Sequence, residues 1–299
     1  IVINSEELRY LKIVNCDIST GTIAINNPKL EEVIFTTWRY YTGDLDLSKA
    51  DNLSIINFTS LNELTKVIVS PAVRTADKLH TLILSNINKL SWFIDSTEEY
   101  ADDANVLNFT GLILNKLNLE NSLYFKQIKG MNAFISTAGD VKFNVTKGAK
   151  ADNRTGMLYN FSNNYTITAS FVDSQITLKN NVSLSSIFIG RLNMIFNSAN
   201  LKINNLKYAT DINSTFDTCC MVDYNWVTYI MSNITTNCTS ASYTFAGCYN
   251  INFPNSTVPT SLFGTNCSRL KNISCMFGNI GRRYHGGSIR TIELKLADG

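Results

Sequence analysis

The stretch 78–90 carries apolar residues at uneven steps of three, two, three and three positions, at Leu79, Leu82, Leu84, Ile87 and Leu90. This spacing fits neither a plain helix nor a plain strand, but it is typical of one coil of a leucine-rich solenoid. The alternation inside it predicts a strand over residues 81–85, with Leu82 and Leu84 directed inward. The outer face of a parallel sheet would then carry Thr81, Ile83 and Ser85.

Five consecutive segments share this spacing and begin at residues 8, 30, 53, 79 and 109. Their intervals of 22, 23, 26 and 30 residues lie mostly within the range of leucine-rich repeats. The segment 8–18 is the most regular, with Cys16 where the pattern accepts Asn or Cys. Four or five buried aliphatic side chains do not offset the entropy lost on ordering one coil, so the coils must stack continuously.

The pattern fades between residues 123 and 181. There, 141–145 and 165–172 alternate like strands and are separated by a polar loop, 147–156. They are interpreted as irregular coils of the same solenoid or as an inserted β-rich element. The spacing returns at Leu184, Ile187, Ile189, Leu192 and Ile195.

We therefore predict a mainly β chain with short helical or irregular turns, folded as a leucine-rich-repeat-like, right-handed solenoid with a parallel sheet. Residues 1–122 would form leucine-rich-like coils, and 123–183 irregular coils or a β-rich insertion. Residues 184–281 would form coils with Phe-x-x-Cys repeats. Residues 282–299 would form a terminal strand or start a further module.

The composition bears on location more than on chemistry. Asn, Ser and Thr supply roughly a third of the residues, which favours a secreted, cell-surface or virion-surface protein, or reflects a nucleotide-biased genome. The net charge of +2 argues against a nucleic-acid partner, and no apolar run is long enough to span a membrane. Because the chain begins with Ile1, we expect it to belong to a longer or processed protein. Glycosylation sequons, which chance also supplies, recur along the chain, for example at Asn57, Asn108, Asn144, Asn160, Asn164, Asn233 and Asn272.

Candidate chemistry is sparse. Six of the seven cysteines lie between Cys219 and Cys275, where they are buried thiols, disulfides or, least favoured, metal ligands. With only two histidines, of which His80 is expected at the surface, neither zinc nor nucleophilic catalysis is supported. The acidic segment 98–103 is a solvated loop, a calcium site or a catalytic carboxylate pair, and the first of these is preferred. We therefore predict no catalytic residue, no metal and no cofactor.

The outward centres of the predicted strands are unusually apolar. Read coil by coil, they are Lys12, Ile34, Asn57, Ile83, Ile113, Phe188 and Ser274. A contiguous apolar row on a face nominally open to water marks a contact surface, although an idle apolar sheet remains an alternative. The predicted partner-contact face consists of Ile34, Ile83, Ile113 and Phe188.

The phrases at 244–248 (Thr-Phe-Ala-Gly-Cys) and 258–277 resemble BspA-type leucine-rich repeat proteins. This family comprises repetitive surface proteins of gut bacteria, with similar arrays in their phages. The resemblance covers residues 215–281 best and implies a right-handed solenoid used for adhesion or attachment. The chain departs from regular repeats at the turn position expected to hold Asn or Cys, which is occupied by Trp38, Leu61, Ile87, Leu117 and Leu192.

Together these observations predict a non-enzymatic binding or structural module for attachment, as a bacterial surface adhesin or a component of a phage tail or head fibre. Its partner would be protein or glycan on a cell surface, further copies of itself, or other subunits of an assembly. The alternatives are a polysaccharide-depolymerising solenoid enzyme, which would need clustered carboxylates on successive strands, and an intracellular repeat scaffold.

Overall fold

A computed structural model describes residues 1–17, 20–38, 40–75, 77–145, 150–152, 157–159, 168–254, 258–278 and 280 of the 299-residue chain. The predicted terminal strand in 282–299 and the sequons at Asn160 and Asn164 lie outside these residues.

The described residues form 22 strands and one α-helix, α1 (Tyr224–Asn233). The strands are β1 (Val2–Asn4), β2 (Tyr10–Val14), β3 (Ile23–Asn26), β4 (Glu32–Trp38), β5 (Gly43–Leu47), β6 (Ile55–Leu61), β7 (Leu64–Val69), β8 (Thr81–Ser85), β9 (Trp92–Asp95), β10 (Val106–Asn108), β11 (Lys116–Asn118), β12 (Gln127–Lys129), β13 (Asn132–Ile135), β14 (Val141–Lys142), β15 (Lys150–Asp152), β16 (Met157–Tyr159), β17 (Ala169–Val172), β18 (Ser174–Leu178), β19 (Val182–Ser183), β20 (Met194–Ile195), β21 (Leu201–Asn204) and β22 (Ala209–Asp211). Short 3-10 helices span Pro71–Arg74, Leu206–Tyr208, Thr260–Phe263 and Thr265–Cys267.

The predicted fold class is confirmed, because the parallel sheets stack as a β-solenoid of about eight turns. The chain divides into two compact units. The first unit contains Ile1–Phe134 and Asn164–Gln175, and the second contains Ile135–Asn163 and Ile176–Gly299.

Two parallel sheets build the first unit, where the apolar spacing predicted one. Sheet 1 contains β2, β4, β6, β8 and β11, and sheet 2 contains β1, β3, β5, β7, β9, β10, β12 and β17, each in spatial order. Successive strands from β1 to β9 alternate between the two sheets, so each of these coils contributes one strand to each sheet. The strand expected at residues 81–85 is β8.

The core of the first unit consists of the inward side chains of both sheets. Val33 pairs with Ile56 and Ile56 with Leu82 in sheet 1, while Leu45 pairs with Val67 in sheet 2. All five are fully buried. Alternating strands bury every second residue, so the apolar alternation of the sequence fixes which residues face the core.

Each sheet 1 strand has a left-handed corner near its C-terminal end, either just before its last residue or within three residues after it. The corner residues have φ between 55° and 61° and are Asn15, Thr37, Ser60, Asn86 and Asn121. Asn tolerates this conformation better than most residues because its short polar side chain bonds locally. The next residue of three corners turns back into the core, where Trp38, Leu61 and Ile87 are fully buried.

A column of stacked phenylalanine rings forms the centre of the second unit. The distances between consecutive ring centroids are 5.1, 5.5, 5.7 and 5.7 Å for Phe143, Phe188, Phe216, Phe245 and Phe277. The helix α1, capped by the Asp223 carboxylate on the Trp226 N–H (2.9 Å), packs Trp226 edge-on to Phe216. Offset and edge contacts of this kind add to the stabilisation from burial.

The segment 123–183 contains both parallel and antiparallel strand pairs. The strands β12 and β17 continue sheet 2 in parallel register, pairing Ile128 with Phe171. The strands β15 and β16 instead form an antiparallel pair, Lys150 opposite Tyr159. Along the chain, this antiparallel pair thus falls between two strands of sheet 2.

Candidate binding face

The outer face of sheet 1 is a flat surface of regularly aligned side chains. Its central column, fixed by the strand register, consists of Lys12, Ile34, Asn57, Ile83 and Asn118. Lys12 is exposed and the other four are half-buried. Five strands at a spacing of about 4.8 Å make this column about 19 Å long. Ile34 and Ile83 thus lie where the sequence places them.

Ile113 does not lie in this column, so that prediction is wrong. Lys116 and Leu117 pair with Thr81 and Leu82, which puts Asn118 beside Ile83 and shifts the start of the fifth coil from residue 109 to Leu114. The interval from Leu79 is therefore 35 residues, because the connection 96–105 leads into the additional strand β10 of sheet 2. Leu117, expected at the turn, is an inward strand residue, and Ser122 takes the turn position.

Phe188 is also misplaced by the sequence pattern. Its side chain is 1% exposed and stacks between Phe143 and Phe216 in the core of the second unit, whereas Ile189 is half-buried. Two adjacent apolar residues, Ile187 and Phe188, made the choice of inward residue ambiguous. A partner-contact role for Phe188 is excluded by its burial.

A polar column lies beside the isoleucines on the outer face of sheet 1. It contains Thr36, Thr59 and Ser85, and the hydroxyls of Thr59 and Ser85 are 3.2 Å apart. Ser85, expected at an open position, is only 4% exposed. The face therefore offers aliphatic contacts bordered by neutral hydroxyls, a composition that suits contact with another macromolecule more than catalysis.

The connection 96–105 covers the outer face of sheet 2 at β9 and β10. Tyr100 packs on Trp92, with ring centroids 5.6 Å apart, and the outward residues Trp92, Val106 and Asn108 are all buried. The outward residues of β5 and β7 are half-buried, as in sheet 1, but they include the charged Asp44, Asp46 and Lys66.

A buried ion cluster holds this connection in place. The Arg74 guanidinium lies 2.9 Å from the Asp95 carboxylate and 2.7 Å from that of Glu98, and its side chain is 9% exposed. Arg74 also donates to the Thr110 carbonyl at 2.8 Å. The acidic segment 98–103, expected to be a solvated loop, is therefore anchored through Glu98, although its other carboxylates are exposed.

Hydrogen bonds extend the cluster to neighbouring side chains. The Tyr100 hydroxyl and the Asn108 amide both donate to the Glu98 carboxylate, the former at 2.7 Å. Burial and the bond to Glu98 raise the pKa of Tyr100 to about 12. Burial disfavours the charged form of Asp95, but bonds from Thr97 and the charge of Arg74 outweigh it and lower its pKa. The carboxylates of Asp95 and Glu98 are both paired with Arg74, so they are poorly placed for acid–base catalysis.

Thr, Ser and Cys side chains replace the missing Asn ladder at the turns. In the first unit, Ser122 donates to the Leu84 carbonyl at 2.8 Å. In the second unit, Thr215 and Thr244 donate to carbonyls of the preceding coil at 2.9 and 2.8 Å, and Cys219 donates to Phe188 at 3.0 Å. Turn carbonyls are thus satisfied by Thr and Ser, which the leucine-rich pattern does not specify, and by Cys, which it accepts.

All seven cysteines are free thiols. Cys248 and Cys267 are buried as expected, but Cys275 is exposed. The two cysteines occupy different positions in their coils. Phe277 stacks on Phe245, so these two residues correspond; Cys248 follows its phenylalanine by three residues, whereas Cys275 precedes its own by two. Cys275 therefore occupies an outward corner with φ of 52°.

We expect alkylation to distinguish these thiols. Burial raises the pKa of Cys219 and Cys248 well above the usual value, and that of Cys220 to about 12. Because the thiolate is the reactive form, iodoacetamide at pH 8 should modify exposed Cys275 within minutes and leave Cys219 and Cys248 intact until the protein unfolds. Peptide mass spectrometry over time measures this. Equal labelling of Cys248 and Cys275 in folded protein would contradict the structure.

Asp217 gives the second unit a pH-dependent stability. Burial raises its pKa to about 6 from the 3.8 of an ordinary aspartate, so the folded unit binds an additional proton between about pH 4 and 6. Its effect on the free energy of unfolding becomes less favourable as pH rises through that interval. Asp217→Asn should therefore stabilise the protein more at pH 7 than at pH 4, as measured by urea denaturation. The same gain at both pH values would show that Asp217 titrates normally.

Comparison with protein families, with curated proteins and with solved structures finds no match. The resemblance to BspA-type repeats stays a prediction.

Within the described ranges, no helix is long and apolar enough to cross a membrane. In the same residues, no three His, Cys, Asp or Glu side chains come together as candidate metal ligands. His80 is half-buried, with its Nδ1 3.0 Å from the Thr81 hydroxyl.

Proposed function

We propose that this chain is a non-enzymatic attachment module of a cell or virion surface, which contacts another protein chain through the outer face of sheet 1. The observation that carries the proposal is the central column of that face, in which Ile34 and Ile83 flank Asn57 in strict register. Aliphatic side chains held on a rigid parallel sheet form a preorganised surface, so little entropy is lost when a partner docks.

Two features support attachment rather than catalysis. The buried carboxylates Asp95 and Glu98 are neutralised by Arg74. The central column itself carries one charged residue, Lys12, and is otherwise aliphatic or amide. A flat, mostly neutral surface that repeats from coil to coil suits an extended partner better than a small substrate.

The test is site-specific photocrosslinking in the native assembly. Benzoylphenylalanine replacing Ile83 should form an adduct with a surface or assembly protein, identified by mass spectrometry, whereas the same probe replacing Asn88 should not. Asn88 is the matched control because it is exposed in the same coil but lies outside the face. Ile34→Lys should remove the Ile83 adduct, and the column tolerates lysine, as Lys12 shows. Equal adducts at both sites would refute the proposal.

One observation favours a second function, that of an intracellular repeat scaffold. Seven unpaired thiols are more typical of reducing compartments than of secreted proteins. Mass spectrometry of the native protein separates the two candidates. A glycan at Asn233, which is exposed at the end of α1, supports the surface role, whereas an unmodified protein of cytosolic origin supports the scaffold.

A further inference from the structure

The second unit carries its own aligned outer surface, made of neutral polar side chains. Parallel bridges join Ser183 to Asp211, Asp211 to Ser240 and Ser240 to Asn272. Two residues further along each coil, the backbone bonds of the same ladder align a second column. We call these two columns the polar face: Ser183, Asp211, Ser240, Asn272, Ser185, Asn213, Ser242 and Ser274.

Hydrogen bonds inside the polar face fix the direction of its hydroxyl groups. The hydroxyls of Ser240 and Ser242 both donate to the side-chain Oδ1 of Asn213, at 2.6 and 2.8 Å, and the Ser242 N–H donates to the same oxygen at 2.9 Å. The Ser183 hydroxyl donates to the Asp211 carboxylate at 2.9 Å, as does the Asn213 amide at 3.3 Å. The hydroxyl oxygens therefore keep lone pairs available to accept hydrogen bonds from a partner.

An exposed aromatic ring borders this arrangement. Tyr243 directly follows Ser242, its backbone N–H bonds the Ser274 carbonyl at 2.9 Å, and its side chain is 47% exposed. It therefore stands at the edge of the polar face, among the few large apolar side chains that the described second unit leaves in solvent. An exposed ring with an apolar surface and a polar tip is suited to binding.

The scarcity of charged side chains in the polar face limits which class of ligand it can bind. Asp211 is the one formal charge within the polar face, and its carboxylate is already hydrogen-bonded. Nucleic acids and other polyanions need several cations, which these columns lack. A hydrophobic protein partner would find no aliphatic side chain there. The complementary partner is uncharged, rich in hydroxyl donors, and has an apolar surface that can cover a tyrosine ring.

We propose that the polar face, together with Tyr243, binds a neutral carbohydrate chain. Sugar hydroxyls would donate to the oriented serine oxygens, and the C–H face of a pyranose ring would stack on Tyr243. Successive coils repeat the same groups at strand spacing, so an extended polysaccharide would contact several coils at once. This inference goes beyond the contact of sheet 1 with a protein chain, because it assigns a ligand class to a separate surface in the other unit.

Affinity electrophoresis tests the inference with dextran, mannan, laminarin, galactan and xylan as neutral polysaccharides, and alginate as an anionic one. We expect at least one neutral polysaccharide to retard the protein. Tyr243→Ala should weaken that retardation about tenfold, the size of one aromatic contact. Tyr40→Ala is the matched control, since Tyr40 is 64% exposed in the first unit, and it should bind as the native protein does.

A second variant keeps the test independent of the tyrosine. Ser242→Ala removes one hydroxyl of the polar face and should also weaken retardation, while circular dichroism confirms folding. No retardation by any neutral polysaccharide, retardation by alginate alone, or an equal loss in Tyr40→Ala would each overturn the inference. None of these results bears on the crosslink at Ile83, so the two proposals fail separately.

Discussion

Replacing Arg74 with alanine is expected to lower the free energy of unfolding of the first unit by about 3 to 5 kcal/mol. The substitution leaves the Asp95 and Glu98 carboxylates in a mostly buried site without their compensating charge. Because Arg74 anchors the connection 96–105 through Glu98, that connection should detach from sheet 2. The bond to the Thr110 carbonyl is lost as well. Urea denaturation measures the loss, and hydrogen exchange at residues 96–105 measures the detachment.

Arg9→Ala is the matched control for this experiment. Arg9 pairs with Glu31 in the same unit, but both side chains are about half exposed or more, so the pair is screened by water. We expect the control to lose less than about 1 kcal/mol. Similar losses for Arg74→Ala and Arg9→Ala would show that the buried cluster does not hold the connection.

The phenylalanine column of the second unit should be equally sensitive. Phe216→Ala is expected to destabilise this unit by about 3 to 5 kcal/mol, because it opens a cavity at the centre of the column. The ring contacts four others, with centroid distances of 5.5 Å to Phe188, 5.7 Å to Phe245, 5.3 Å to Phe196 and 5.8 Å to Trp226. Thermal and urea unfolding followed by circular dichroism report the change.

Phe263→Ala controls for the loss of any phenylalanine. Phe263 is half-buried, and its contact with Phe277 is longer, at 6.5 Å between centroids. Its removal should cost less than half as much as that of Phe216, because neighbouring groups and water can fill the space. Equal costs would mean that the stacked column is not the centre of the core.

Regular spacing made the coils of the first unit predictable from sequence. Leu82 and Leu84 alternate with polar or β-branched neighbours, and this alternation fixed both β8 and the face on which Ile83 lies. Ile34 followed from the same register. The second sheet had a weaker signal, because its strands, such as β3 and β5, lie outside the leucine-rich pattern.

Two errors have a common physical origin. Apolar spacing alone does not show which of several neighbouring apolar residues faces the core. Leu112 and Leu114 were therefore assigned the inward positions that Leu82 and Leu84 hold in the preceding coil. Likewise, Ile187 was assigned the inward position and Phe188 the outward one. Strand pairing over long sequence distance decided both cases. The inserted connection 96–105, which broke the interval between coils, was visible only as a run of charges.

The ion cluster around Arg74 and the polar face could not be predicted from the sequence, because both depend on tertiary contacts. Arg74 lies far along the chain from Glu98, and nothing local pairs them. The polar face likewise arises because coils of about 30 residues place Asp211, Ser240 and Asn272 side by side. The high content of Asn, Ser and Thr signalled a neutral polar surface but not its arrangement.

The central claim, that the outer face of sheet 1 attaches this chain to another, is tested most directly by a cryo-electron microscopy structure of the protein in its native assembly. We expect Ile34 and Ile83 to be buried against a second chain, with Asn57 between them at the same interface. Solvent around both isoleucines in every copy of the assembly would contradict it.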